Sequence, residues 1–340
     1  MKQISPIFKV VLTLMLFTFS SVKAQKSSTI QLVSSNNHSL QLKFESAPYE
    51  FVEVETPEGI MSLPKMEGAS PLLIKGAPDL QKYACSYIIP DGENPTIQIL
   101  NASYKDYKVE VAPSKGNLLR NVNPSEMPYS FGAQYEVDTF FPTSIFEAQE
   151  SHTVRDFEAQ ALWIYPFQYN PITKMLRVYD TIELDIQFNS TIKYPRTMDS
   201  QFKMIYENLF INYGETQRTS MEDEDGRMLI ISYGEFIDPM QNFMDWKTQK
   251  GIVNEIVDVA TIGGQDEIKT YIEDYYNSHN LTYVLLVGDH QHVPAYSASS
   301  GYSDNYYGYI EGDDSYPEVF IGRFSAEDKS QVTTQVNRLI

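Results

Sequence analysis

The feature that most constrains this chain is a change of hydrophobic rhythm near residue 220. Upstream, short segments alternate apolar and polar residues with a period of two, as in Thr29-Ile30-Gln31-Leu32-Val33, Leu40-Gln41-Leu42-Lys43-Phe44 and Tyr107-Lys108-Val109-Glu110-Val111. Successive strand side chains point to opposite faces, so this rhythm predicts half-buried antiparallel strands. Ala161-Leu162-Trp163-Ile164-Tyr165-Pro166-Phe167 and the long segment from Leu176 to Ile186 lie around the turn sequence Tyr169-Asn170-Pro171-Ile172-Thr173. Many short strands punctuated by turns predict a β-sandwich-like unit over residues 25–220.

After the acid run Glu222-Asp223-Glu224-Asp225-Gly226 the pattern becomes strand, helix, strand. Met228-Leu229-Ile230-Ile231-Ser232 suits a central strand. Asp238-Pro239 starts a helix that buries Met240, Phe243 and Met244 and stops at Gly251. Residues 252–259 form a second strand, Ile268, Tyr271, Ile272 and Tyr275 mark one helix face, and residues 282–288 a third strand. Val319-Phe320-Ile321-Gly322-Arg323 is a fourth, and Ser325 with Asp328 makes a capping box for a last helix facing inward through Val332, Val336, Leu339 and Ile340. Such alternation predicts a mostly parallel sheet with helices on its faces. Because Ile340 falls inside that helix, with no cap or following strand, the α/β unit at residues 221–340 is expected to be the first part of a larger one.

The first 24 residues stand apart. Lys2 and Lys9 precede the apolar stretch Val10-Val11-Leu12-Thr13-Leu14-Met15-Leu16-Phe17, and Val22-Lys23-Ala24 offers a small-residue cleavage site before Gln25, which predicts a secretory signal peptide at residues 1–24. No stretch reaches the roughly 18 apolar residues of a membrane span. No cysteine directly follows the apolar stretch, which argues against lipid attachment. With 45 acidic and 26 basic side chains the net charge is −19, a balance that repels nucleic-acid phosphates and anionic lipid. Residues 221–340 hold 21 acids and 7 bases against 24 and 19 before them, so the second unit is the acidic one. Cys85 is the sole cysteine and lies in a strand-like segment with nothing to lower its pKa, which makes it structural and leaves no internal disulfide.

Ligands of open α/β sheets gather beyond the carboxyl ends of the strands, where Asp289 falls. A second group of oxygen donors, Glu311-Gly312-Asp313-Asp314-Ser315-Tyr316-Pro317-Glu318, leads into the fourth strand. Four carboxylates in eight residues repel one another unless they are solvated or bind a hard cation such as calcium, which takes about six to eight oxygens; both readings stand. His290 and His292 lack the spacing of a helical zinc motif and read as loop residues. His38, His152 and His279 belong to no recognisable triad, and no nucleophile elbow, Walker loop or dinucleotide glycine pattern occurs. The tyrosines of Tyr302-Ser303-Asp304-Asn305-Tyr306-Tyr307-Gly308-Tyr309 suit either a cleft wall or packing on the sheet.

Several segments together are specific. Gly226-Arg227-Met228, Phe243-Met244-Asp245-Trp246-Lys247, Leu281-Thr282-Tyr283-Val284-Leu285-Leu286-Val287-Gly288-Asp289-His290, Tyr307-Gly308-Tyr309-Ile310-Glu311-Gly312-Asp313-Asp314 and Glu318-Val319-Phe320-Ile321-Gly322-Arg323-Phe324 resemble the start of the catalytic domain of the gingipains, secreted cysteine endopeptidases of peptidase family C25. Tyr165-Pro166-Phe167-Gln168-Tyr169-Asn170-Pro171 and Leu176-Arg177-Val178-Tyr179 resemble the family's β-rich propeptide.

This resemblance implies a propeptide at residues 25–220 and part of a caspase-like α/β domain at residues 221–340. It also implies a structural calcium ion bound through the side chains of Asp289, Asp314 and Glu318 and the backbone carbonyls of Glu311 and Tyr316. The family's catalytic histidine and cysteine come from later strand ends, beyond Ile340, so no catalytic residue is assigned and the polypeptide by itself is expected to be silent. In such zymogens the propeptide covers the active-site cleft and is removed, here by cleavage after Arg218 if the parent is Arg-specific. The parent is then an exported, secreted or cell-surface peptidase acting on protein or peptide substrates, with its own propeptide as partner. A secreted non-enzymatic calcium-stabilised module, or a protease relic, is the alternative; a zinc hydrolase using His290 and His292 is a third.

Overall fold

The computed structural model describes residues 29–195, 197–214, 222–224, 226–298 and 301–340. The signal at residues 1–24 and Arg218 lie outside the described residues.

The alternating segments form two antiparallel sheets. In the first, Met175–Gln187 pairs along its length with Thr96–Lys108, while Phe167–Asn170 and Ser39–Glu45 share its other side and Ile30–Asn36 extends the edge. In the second, Phe157–Ile164 lies between Gln81–Ile88 and Phe146–Val154, with the short strand Ser70–Pro71 outside. Leu40, Leu42 and Phe44 face Ile182, Leu184 and Ile186 at spacings of two, and they close one core with Tyr87, Leu162 and Ile164. Fully burying each such side chain is worth about 1.5–3 kcal/mol, which is why the alternation dictates the face. A separate hairpin joins Tyr49–Thr56 to Gly59–Met66. Cys85 pairs across to Leu162 and packs, partly buried, against the core.

Helix α1, Ser200–Leu209, was not anticipated in this strand-rich half. Asp199 caps it by accepting from the backbone N–H groups of Gln201 and Phe202, and it buries Phe202 and Tyr206, one turn apart, beside Val154 and Phe157. Two anchors in ten residues give too little periodicity to read against surrounding strands. The acid run also departs from a plain linker: Glu222–Glu224 pairs in parallel with Thr197–Asp199.

The second unit is a four-stranded, wholly parallel sheet in the order Asn254–Asp258, Arg227–Ser232, Leu281–Val287, Phe320–Phe324. Helix α2, Gln241–Gln249, is preceded by a 3-10 turn at Asp238–Met240 and followed by Gly251, whose φ of 85° suits glycine. Helix α3, Gln265–Ser278, places Ile268, Ile272 and Tyr275 on one face of the sheet. Phe243 of α2 and Val332 and Val336 of helix α4, Lys329–Leu339, cover the other. The capping-box expectation is corrected: Asp328 alone caps α4 through Ser330 and Gln331, while the Ser325 carbonyl accepts from Gln335 Nε2. The tyrosine cluster packs in part, with Tyr302 left 66% exposed. Tyr307 is buried and donates to the Pro294 carbonyl, and Tyr306 stacks on Tyr296 at 3.7 Å between ring centroids.

Candidate functional site

A parallel sheet has two chemically distinct edges, and the residues singled out in the sequence divide between them. At the carboxyl edge, Gly288 N–H donates to the Phe324 carbonyl and Asp289 N–H to that of Ala326, so the loop after the third strand is tied to the end of the fourth. Asp289 Oδ1 accepts from the Gln291 N–H and lies 2.8 Å from His292 Nδ1. These contacts hold its carboxyl below the usual aspartate range even though burial pulls the other way. The His292 ring sits against Tyr233 and Phe236, while His290 lies beside Tyr302. Arg323 organises this loop: its guanidinium takes both oxygens of Asp304 at 2.7 Å and donates to the Gly288 and Val293 carbonyls. A planar fork matched to a carboxylate is the strong form of such a pair.

The Glu311 to Glu318 loop lies at the opposite, amino edge, against a turn of the sandwich. Strands Phe146–Val154 and Phe157–Ile164 meet at a two-residue turn in which Arg155 takes a φ of 49°. A non-glycine residue there costs about 1–2 kcal/mol, so the surroundings must hold it. Arg155 is only 8% exposed. Its Nη1 donates to the carbonyls of Leu281 at 2.7 Å and Glu318 at 2.8 Å, and its Nη2 donates to Asn280 Oδ1 at 2.6 Å. The rings of Phe202 and Tyr276 lie 4.7 and 5.3 Å from the guanidinium carbon. One residue group earlier, Thr153 N–H donates to Asp314 Oδ2 at 2.8 Å, and His152 stacks on Tyr316 at 4.2 Å. Burial holds His152 below the usual histidine range, against the pull of Asp314.

Two acids of that loop, Asp314 and Glu318, already have N–H donors. Glu318 is fully buried, with Oε2 accepting from Ile310 and Glu311 and Oε1 lying 3.5 Å from the Arg155 nitrogen. Burial raises its pKa; the N–H donors lower it and Asp314 adds to the rise. Asp314 Oδ1 accepts from the Tyr316 N–H.

The structure therefore gathers Glu311, Asp314, Tyr316 and Glu318 at one edge and leaves Asp289 at the other. Eight residues of extended chain, about 25 Å at strand rise, separate Leu281 from Asp289. The five residues do not fit one calcium shell, and among the described residues no group of three His, Cys, Asp or Glu is placed to hold a metal. The division follows from the topology: a loop leaving a parallel strand starts at the carboxyl edge, whereas a loop entering one ends at the amino edge. Arg155, Asn280 and Arg323 were all missed. An Arg-Asp pair in a hairpin turn looks like any solvated turn, and nothing local marks it for burial.

The sandwich thus meets the amino edge of the parallel sheet through the turn at Arg155. Residues 21–221 match the C25 propeptide family and residues 221–340 match peptidase family C25. The chain belongs to this family, that of the gingipains, and combines the β-rich propeptide with the first part of the caspase-like α/β domain. It is 33% identical to Gingipain R1 of Porphyromonas gingivalis over 327 residues, 93% of this chain and 33% of that protein. Against Gingipain R2 of the same organism identity is 32% over 328 residues, 93% of this chain and 45% of the relative. The chain thus spans a third to under half of these relatives. The solved complex of Porphyromonas gingivalis RgpB pro- and mature domains contains a chain that aligns with a TM-score of 0.51 and 28% identity, covering 55% of this chain and 98% of its own length.

Proposed function

We propose that this chain is the leading part of an exported cysteine endopeptidase precursor: a signal at residues 1–24, a propeptide that ends by cleavage after Arg218, and the first strands of the catalytic sheet. The observation that carries the reading is the burial of Arg155, from the sandwich, in the amino edge of the parallel sheet. It supports reading the two units as one docked precursor.

In the chemistry of such peptidases a thiolate attacks the peptide carbonyl and an imidazole protonates the departing amine. Cys85 is unsuited to that task. It sits in the sandwich, and burial pushes its thiol up to about 12. The reactive cysteine and histidine are sought after residue 340, where a strand ending in Gly-His-Gly and another ending near a cysteine are expected. No described helix is long and apolar enough to cross a membrane.

Expression of the complete reading frame tests the proposal. Peptide hydrolysis that a thiol-alkylating reagent abolishes supports it. Hydrolysis indifferent to thiol reagents but lost to chelators points instead to a zinc hydrolase, and none on any peptide library points to a non-enzymatic module. N-terminal sequencing of the matured parent should begin at Thr219; a start inside the sandwich sinks the cleavage assignment.

A further inference from the structure

We propose that the turn at residues 152–156 is the anchor by which the sandwich binds the catalytic sheet, with Arg155 as its central contact. The anchor is set on the amino edge, away from the carboxyl edge where an α/β sheet presents its chemistry. Attachment at this turn and any contact at the carboxyl edge are therefore carried by different residues.

Four observations converge on Arg155. Its guanidinium makes three hydrogen bonds, all to residues of the second unit, Leu281, Glu318 and Asn280. It is walled by Phe202 from its own unit and Tyr276 from the other. Arginine enclosed by aromatic rings and cut off from water is the composition of an energetic hot spot, because both the charge and its acceptors lose water that only the partner replaces. The contact is also polarised: the cation comes from the half with 19 bases, and its seat lies in the half with 7 bases and 21 acids. Asp156, the next residue of the turn, stands near enough for its carboxylate to feel the Arg155 charge.

Flanking contacts fix the turn's register. Thr153 N–H reaches Asp314, His152 lies on Tyr316, and a side chain at Gly312 would approach Thr153 Oγ1 to 3.3 Å. The glycine lets the acidic loop close over the turn. The Leu281 and Glu318 acceptors are backbone carbonyls at the entrance of the third and fourth strands. The anchor therefore reads the sheet's framework, and side-chain changes in a substrate cleft would leave it intact.

This inference rests on the precursor reading only in taking residues 215–221 as the link that is cut. Its readout is association, which needs no peptidase activity, so the two can fail separately. The experiment uses the full chain with a specific protease site placed in that link, cut after folding, and followed by size exclusion and dilution-dependent dissociation. The unsubstituted halves should co-elute. Arg155→Ala should weaken association by about 30-fold or more, and Arg155→Lys, which keeps charge but loses the fork, should fall between. Asn280→Ala removes one acceptor from the opposite side and leaves the turn itself untouched, so it should weaken association less. Cut Arg155→Ala halves that stay together as tightly as unsubstituted ones would overturn the proposal. So would separation of unsubstituted halves on cutting, or an Asn280→Ala effect of zero when Arg155→Ala also lowers the melting point of the uncut chain.

Discussion

Thr282 Oγ1 donates to Asp199 Oδ2 at 2.6 Å across 83 residues of sequence, and both residues are buried. The other carboxylate oxygen of Asp199 caps α1, so one side chain fixes the start of that helix and binds it to the third strand of the parallel sheet. Asp199→Ala removes a helix cap, typically worth about 1 kcal/mol, and a charged hydrogen bond worth about 1.5–3 kcal/mol. A loss of about 2.5–4 kcal/mol in urea unfolding is expected, with Asp199→Asn losing less. An Asp199→Ala curve that overlays the unsubstituted one would show that the bond adds nothing net.

Gly226 lies against this same pair. A Cβ there would meet Thr282 Oγ1 at 1.7 Å and Asp199 Oδ2 at 2.3 Å. Gly226→Ala should therefore destabilise the chain despite alanine's lower backbone entropy cost, and the loss should shrink in a Thr282→Gly background, which removes both the Oγ1 and the Cβ, at 2.4 Å, that the methyl would meet. Equal losses in both backgrounds would mean the clash lies elsewhere.

Arg323 should control order at the carboxyl edge. Replacing it with methionine keeps the stem but releases Asp304 and the Gly288 and Val293 carbonyls. Amide exchange at residues 289–293 is expected to speed up by tenfold or more, roughly 1.4 kcal/mol of local opening, while residues 284–287 exchange as before. Unchanged rates at 289–293 would refute the role.

Asp79 supplies a pH signature. Burial raises its carboxyl pKa above the ordinary value, and Lys65 only partly offsets this. A folded pKa above the unfolded one means that its contribution to stability is present at low pH and is lost as pH rises through the folded value. Asp79→Asn should then be more stable than the unsubstituted chain at pH 7, and the two should converge by about pH 3, below the unfolded aspartate value. A gap that widens toward acid would show the opposite sign and discard the account.

Cys85 is expected to resist alkylation in the folded chain at pH 8. A thiol near 12 is about a ten-thousandth ionised there, and the thiolate is the reacting form. Mass spectrometry should find it unlabelled until urea is added; rapid native labelling would contradict the burial.

The local patterns were legible. Alternation places Leu40, Leu42 and Phe44 inside the sandwich, and the 3.6-residue spacing of Ile268, Ile272 and Tyr275 puts α3 on the sheet, because each depends only on neighbours along one element. Family membership was legible for a similar reason: its motifs are contiguous. Helix α1 escaped because its evidence is a cap and two aromatic anchors whose value appears only when Val154 and Phe157 are beside them.

What sequence determined by itself was the two rhythms, the order of the elements and which face of each is apolar. Tertiary structure alone decided that Arg155 leaves solvent for the entrance of two strands, and that Asp289 stands at one sheet edge with Asp314 and Glu318 at the other. Periodicity reports which side of an element is buried. It carries no measure of where along the sheet two distant loops end, because that position is set by how whole strands align in register and by which unit docks against them.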